Sequence, residues 1–171
     1  VLTATGWSSF YGIRSLADGT ATRPVIISNN ALYNFKGTSL WLFYINGATY
    51  NKIINNTIEF NVNTGSSVAN YAYYFTGTNT GCEFINNIAS FTTGGTGNKF
   101  GFYYSSATAA PDVSEMNNFS MRSTNAGTQY YGYLAANYAT RAAFIAAHPT
   151  REINSPDVNP LCVNAAVGNL V

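Results

Sequence analysis

The chain has 171 residues, enough for one domain with a sizeable core, and aromatics at 15% argue against disorder. Only 9% of residues are charged, against roughly a quarter in ordinary soluble domains. The net charge is +1 with no basic cluster and no apolar run near the ~18 residues that span a bilayer, so neither nucleic-acid binding nor membrane insertion is expected.

Taken in chain order, the segments fall into two alternating kinds. "YGIRSL" (11–16) is a short β-type run. "VIIS" then leads into Asn29-Asn30. "LWLFYIN" (40–46) is aromatic-rich, and "NKII" leads into Asn55-Asn56. "NYAYYFT" (70–76) is followed by "CEFI" and Asn86-Asn87, and "FGFYYSS" (100–106) by "VSEM" and Asn117-Asn118. "YYGYLAA" (130–136) closes the series. The asparagine doublets start 26, 31 and 31 residues apart, and aligning Ile13, Phe43, Tyr73, Phe102 and Tyr133 gives intervals of 30, 30, 29 and 31. Two unrelated motifs keeping one period mark a stacked-repeat protein.

The runs are short, β-type and separated by Gly/Asn/Thr/Ser clusters without helical periodicity. Strands recurring about every thirty residues fit an all-β parallel β-helix, in which one repeat makes one coil about 4.8 Å from the next. The doublets then mark a recurring corner, because Asn tolerates the left-handed conformation and its amide pairs with the identical amide one coil away. Asn29, Asn30, Asn55, Asn56, Asn86, Asn87, Asn117 and Asn118 are therefore expected to form a structural turn ladder. "YATRAAFIAAH" (138–148) is the single helix-like stretch, with Thr140 as N-cap and Pro149 as stop, expected as an insertion between coils with one face against the coil side. "TGTNTG" (76–81) and "TTGGTGNKFG" (92–101) lack the GK[ST] ending of phosphate loops and are expected as long turns. Cys82 and Cys162 have no metal-type spacing and are expected to be buried thiols, although a disulfide is open.

The "I-x-N-N-x-I" corner in "NKIINNTIEF" and "EFINNIASF" resembles the right-handed parallel β-helices of the pectate-lyase-like superfamily, over about residues 10–121. The tail "REINSPDVNPLCVNAAVGNLV" (151–171) is similar to the last coils of large secreted β-helix proteins of Bacteroidetes-type bacteria. There an "NS…DPLF.N…GDL" stretch follows a short helix; here Asn159 and Cys162 stand where Asp and Phe are more usual. The resemblance implies a right-handed solenoid of five to six coils with one short helix near 140–148. It also implies an extracellular or cell-surface setting of bacterial adhesin type. Residues 1–171 are expected to be a single β-helix domain, part of a longer chain or an assembly whose flanking coils stack on it.

Activities on this fold vary, so function must be read from residues. Acidic-polysaccharide cleavage would need an Asp/Glu cluster holding Ca²⁺ with a basic residue nearby, and glycoside hydrolysis would need paired carboxylates. The seven carboxylates include no adjacent pair and no DxD. Lys52 and Glu83 each precede their doublet by three residues and should stack, with Asp112 diagonal to Glu83; these are the only catalytic candidates, and a surface ion pair is the plainer reading. Glu115 stands where Ile27, Ile53 and Phe84 face inward, which implies either a one-residue slip that lets Met116 pack or a buried acid. His148, the single histidine, is read as a helix C-terminal residue.

If Ile13, Phe43, Tyr73 and Phe102 point inward, Arg14, Tyr44, Tyr74 and Tyr103 point outward, one per coil. Such a row would be a platform on which sugar rings or another protein stack, or simply a set of cross-strand neighbours that steadies the coils. The expected function is thus a non-catalytic extracellular module binding polysaccharide or protein, with no cofactor. The alternative is a polysaccharide lyase or glycoside hydrolase, which would bring Ca²⁺. A crystal-binding face of Thr-x-Thr is disfavoured, because "TAT" (3–5) and "TGTNT" (76–80) do not recur in register.

Overall fold

The structure, a computed structural model, describes residues 9–160. Four coils each lay down three short strands, one in each of three sheets. The first coil holds β1 (Phe10–Ser15), β2 (Val25–Ser28) and β3 (Ala31–Leu32). The second holds β4 (Leu40–Asn46), β5 (Asn51–Ile54) and β6 (Thr57–Phe60). The third holds β7 (Asn70–Thr76), β8 (Glu83–Ile85) and β9 (Ile88–Phe91), and the fourth β10 (Lys99–Tyr104), β11 (Val113–Glu115) and β12 (Asn118–Met121). A fifth coil starts with β13 (Gln129–Leu134), turns back through β14 (Ala136–Tyr138) and ends in helix α1 (Arg141–Ala147). The first sheet runs β1-β4-β7-β10-β13-β14, the second β11-β8-β5-β2 and the third β12-β9-β6-β3. Every pairing is parallel except β13 with β14. The described residues therefore form a parallel β-solenoid of about four full turns with one short helix, against the five to six coils expected.

The corner between the second and third sheets explains the asparagines. Asn29, Asn55 and Asn86 take φ of +58°, +57° and +55°, the left-handed region in which Asn costs least among residues with a side chain. The second asparagine of each pair turns inward. Asn30 Nδ2 donates to Asn56 Oδ1 (2.9 Å), Asn56 Nδ2 to Asn87 Oδ1 (3.0 Å), and Asn87 Nδ2 to Asn117 Oδ1 (3.0 Å). Each Oδ1 also accepts the backbone N–H of the previous coil's asparagine. Every corner thus satisfies amide groups that the bend removes from the sheets, and leaving one such buried group bare would cost about 1–3 kcal/mol.

The fourth corner departs from the sequence expectation by one residue. Met116 occupies the left-handed position with φ +59°, Asn117 continues the ladder, and Asn118 lies beyond it as the first residue of β12. Glu115 consequently pairs with Ile85, and Ser114 takes the inward place of Phe84. The slip occurs, but Met116 does not pack: it is half-exposed at the bend.

The ladder ends on an acid. Asn117 Nδ2 donates to both carboxylate oxygens of the fully buried Glu152, at 3.2 and 3.3 Å. The hydroxyls of Ser114 and Ser155 bind the same carboxylate, and Ser155 Oγ accepts from Asn117 N (2.9 Å). With Glu152 N donating to Ser114 O (2.7 Å), residues 152–155 provide the corner of the incomplete fifth coil.

Inside the solenoid, Phe43, Tyr73 and Phe102 are fully buried and lie in register on successive coils. The expected fifth member, Tyr133, is displaced. Phe102 pairs with Gly132, and Tyr133 pairs with Tyr103 on the outer face. A Cβ on Gly132 would lie 2.0 Å from Phe102 Cζ, so only glycine fits. Above this place sits Phe144 of α1, fully buried with its ring 4.9 Å from that of Phe102. The helix is therefore a lid across the last coil and not an insertion laid along its side. Its start is as expected: Thr140 Oγ1 accepts from Ala143 N (3.2 Å). His148 closes it, donating its N–H to Phe144 O (2.9 Å) and pairing its Nε2 with the Tyr138 hydroxyl (3.1 Å).

Cys82 is a free, buried thiol in the corner preceding the second sheet. Its Sγ accepts from Asn51 N (3.4 Å) and donates to Ala48 O (3.3 Å), and burial raises its pKa. It acts as a hydrogen-bonding core residue. Cys162 and the last part of the tail lie outside the described residues.

Candidate functional site

The outer face of the first sheet carries two aromatic columns. One is Arg14, Tyr44, Tyr74, Tyr103 and Tyr133, in register across β1, β4, β7, β10 and β13. The other, three residues earlier on each strand, is Tyr11, Trp41, Tyr71, Phe100 and Tyr130. Strict alternation would have turned the second column inward. Each strand instead places two consecutive residues inside (Leu42 and Phe43, Ala72 and Tyr73, Gly101 and Phe102), so positions three apart share the outer face. The signal was present in the sequence as aromatics at 41, 71, 100 and 130, masked by the period-2 rule.

The rings are ordered. Tyr44–Tyr74, Tyr74–Tyr103 and Tyr103–Tyr133 are stacked with centroids 5.5, 4.9 and 4.2 Å apart and planes within 5° of parallel. Along the other column the separations are 5.3, 5.8, 5.1 and 5.0 Å. Between columns the contacts are edge-on, Tyr71 to Tyr74 at 5.1 Å and Phe100 to Tyr103 at 5.4 Å. Arg14 ends the first column with its guanidinium 5.6 Å from the rings of both Tyr11 and Tyr44. Pairs of this kind contribute about 0.5–1.5 kcal/mol each beyond area burial, so the face also holds the coils in register.

This geometry changes what the platform presents. Both faces of Tyr74 and Tyr103 are taken by their neighbours, and an incoming ring cannot stack on them. The columns offer ring edges and the distal phenol hydroxyls, repeated at the coil spacing. Burial, then the neighbouring phenols, raises the pKa of Tyr74, and the same causes push Tyr103 up to about 12. These hydroxyls therefore remain protonated at neutral and mildly alkaline pH, each a donor and an acceptor.

The weaker candidates meet elsewhere, on the outer side of the second sheet. Lys52 and Glu83 are register partners, joined by a 2.8 Å ion pair with each side chain about one-third exposed. Asp112 accepts from Gly81 N (2.7 Å) and so fastens a turn. All three line a groove of about 300 Å³ with Tyr50, Cys82 and Val113. Glu83 is neutralised by its lysine, and among the described residues no group of three or more His, Cys, Asp or Glu could hold a metal ion. The donor set does not fit the Ca²⁺ that lyase chemistry would bring. The remaining buried acid, Glu59, accepts from Thr92 Oγ1 (2.7 Å) inside the fold.

The fold and this face define the class: a parallel β-solenoid with an ordered, nearly uncharged aromatic surface on one sheet. Comparison with family models, curated proteins and solved structures gives no match to the chain, so its function is argued from the face itself.

Proposed function

We propose that the protein is a non-catalytic, extracellular surface module that binds an extended, uncharged polysaccharide along the outer face of its first sheet. The observation that carries this reading is the pair of columns, five positions long and aromatic at every position but Arg14, held on the outer face by in-register stacking. A repeated row of neutral hydroxyls and apolar ring edges suits a regular hydroxylated chain, since both sides repeat and little charge must be desolvated. The rigidity of stacked rings limits the conformational entropy lost on binding. The uncharged polar composition and the corner likeness to pectate-lyase-like β-helices support an adhesin-type, secreted setting.

The test separates hydroxyls from rings. The triple variant Tyr44→Phe/Tyr74→Phe/Tyr103→Phe keeps the stack and removes the donors. Affinity electrophoresis in gels containing neutral polysaccharides should show retardation of the parent protein and about a tenfold loss for the variant, as expected when donors to a ligand are lost. Equal retardation of both proteins, or none of either, refutes the reading. The lyase or hydrolase alternative rests on the Lys52, Glu83 and Asp112 groove and predicts release of new chain ends in the same gels.

A further inference from the structure

A second cavity lies at the lidded end, away from the aromatic face. α1 follows β13 where the earlier coils carry their second strand, and among the described residues β12 is the last strand of its sheet. The space beside it, about 210 Å³, is walled by Phe119, Ser120, Met121 and Arg122, by Tyr131, by Thr140 and Arg141 at the start of α1, and by Asp157.

Two polar groups in the wall of this cavity have no hydrogen-bond partner. Arg141 Nε is buried without a partner, although Nη2 donates to Ile153 O. Ser120 Oγ is also buried without a partner, in a residue only 3% exposed. Buried polar groups are nearly always satisfied, and a guanidinium N–H left bare is among the costlier exceptions. Neither arginine is neutralised: among the described residues the one ion pair is Lys52–Glu83, so Asp157 lies beyond 4.0 Å from both.

We propose that this cavity binds a small organic carboxylate, whose oxygens accept from Arg141 and Arg122 with the Ser120 hydroxyl adding a third donor. Two guanidiniums against one aspartate leave a single net positive charge, which matches a monoanion better than a phosphate dianion. Phe119 and Met121 supply apolar surface for a short hydrocarbon portion, and Tyr131 adds its ring and a hydroxyl that is also buried without a partner. The planar, fixed donors of arginine suit a carboxylate in particular.

Propionate is the probe, with its neutral isostere propionamide as control, both titrated into the full chain and followed by amide NMR shifts. Saturable shifts confined to residues 119–122 and 139–141 are expected with propionate and none with propionamide. Arg122 is exposed and engaged in no ion pair, so Arg122→Gln should fold normally and bind about tenfold more weakly. Arg141→Gln should abolish binding. Equal responses to the acid and the amide, an unaltered affinity in Arg122→Gln, or no saturable shift with propionate would overturn the assignment.

Discussion

At the residue scale the most consequential side chain is Glu152. Burial raises its pKa from 4.5 to about 7, against the opposing pull of hydrogen bonds from Ser114, Ser155 and Asn117 and the charge of Arg151. A carboxyl whose folded pKa is raised favours folding in its protonated form. Its contribution is full below about pH 4.5 and is lost as pH rises through about 7, a change on the order of 3 kcal/mol. Thermal unfolding between pH 5 and 8 should therefore show a midpoint that falls with rising pH, and Glu152→Gln should flatten that slope. A midpoint that rises over this range in the parent protein would contradict the account. The sequence displayed Glu152 as one of seven acids and no more. Its burial follows from the fold-back of residues 152–155 onto a corner some 35 positions earlier, which no local pattern encodes.

At the scale of elements the last coil is where the repeat is deliberately broken. Gly132 vacates the inward aromatic position, and Phe144 of α1 fills the space from above, touching Phe102 and Tyr131. Gly132→Ala should cost about 1–3 kcal/mol, because the added methyl collides with the Phe102 ring in a packed core. Chemical denaturation measures the loss, and a variant as stable as the parent would show that the lid yields freely. The helix itself was legible from its alanines and Thr140. Its role as a lid was not, because only the register of β13 reveals that glycine and not Tyr133 stands inside.

For the whole molecule, stability in a solenoid is a sum over neighbouring coils, and the coils should open unequally. In β4 and β7 the inward residues are fully enclosed by coils on both sides. β1 pairs on one side among the described strands, and its residues are half-buried or exposed except Ser15. Hydrogen exchange should accordingly be slowest in 42–45 and 72–75 and faster in 10–14. Uniform protection of all coils would mean that the molecule opens as one unit. The same stacking makes the aromatic face a collective property, since each ring is oriented by the rings above and below it.

The sequence by itself determined the architecture. A pattern repeated about every thirty residues can be satisfied only if equivalent residues lie over one another, and asparagine at a recurrent left-handed bend both tolerates the angle and pairs along the axis. It likewise placed Lys52 opposite Glu83 and four of the five members of the outer Arg14–Tyr133 column. Tertiary structure alone decided the rest. The slip at Met116, the second column through Trp41 and Tyr71, the stacking that hides the faces of Tyr74 and Tyr103, and the burial of Glu152 all depend on which neighbour occupies the adjacent coil. Register is fixed by packing across coils, and a single strand read alone carries only the average of that packing.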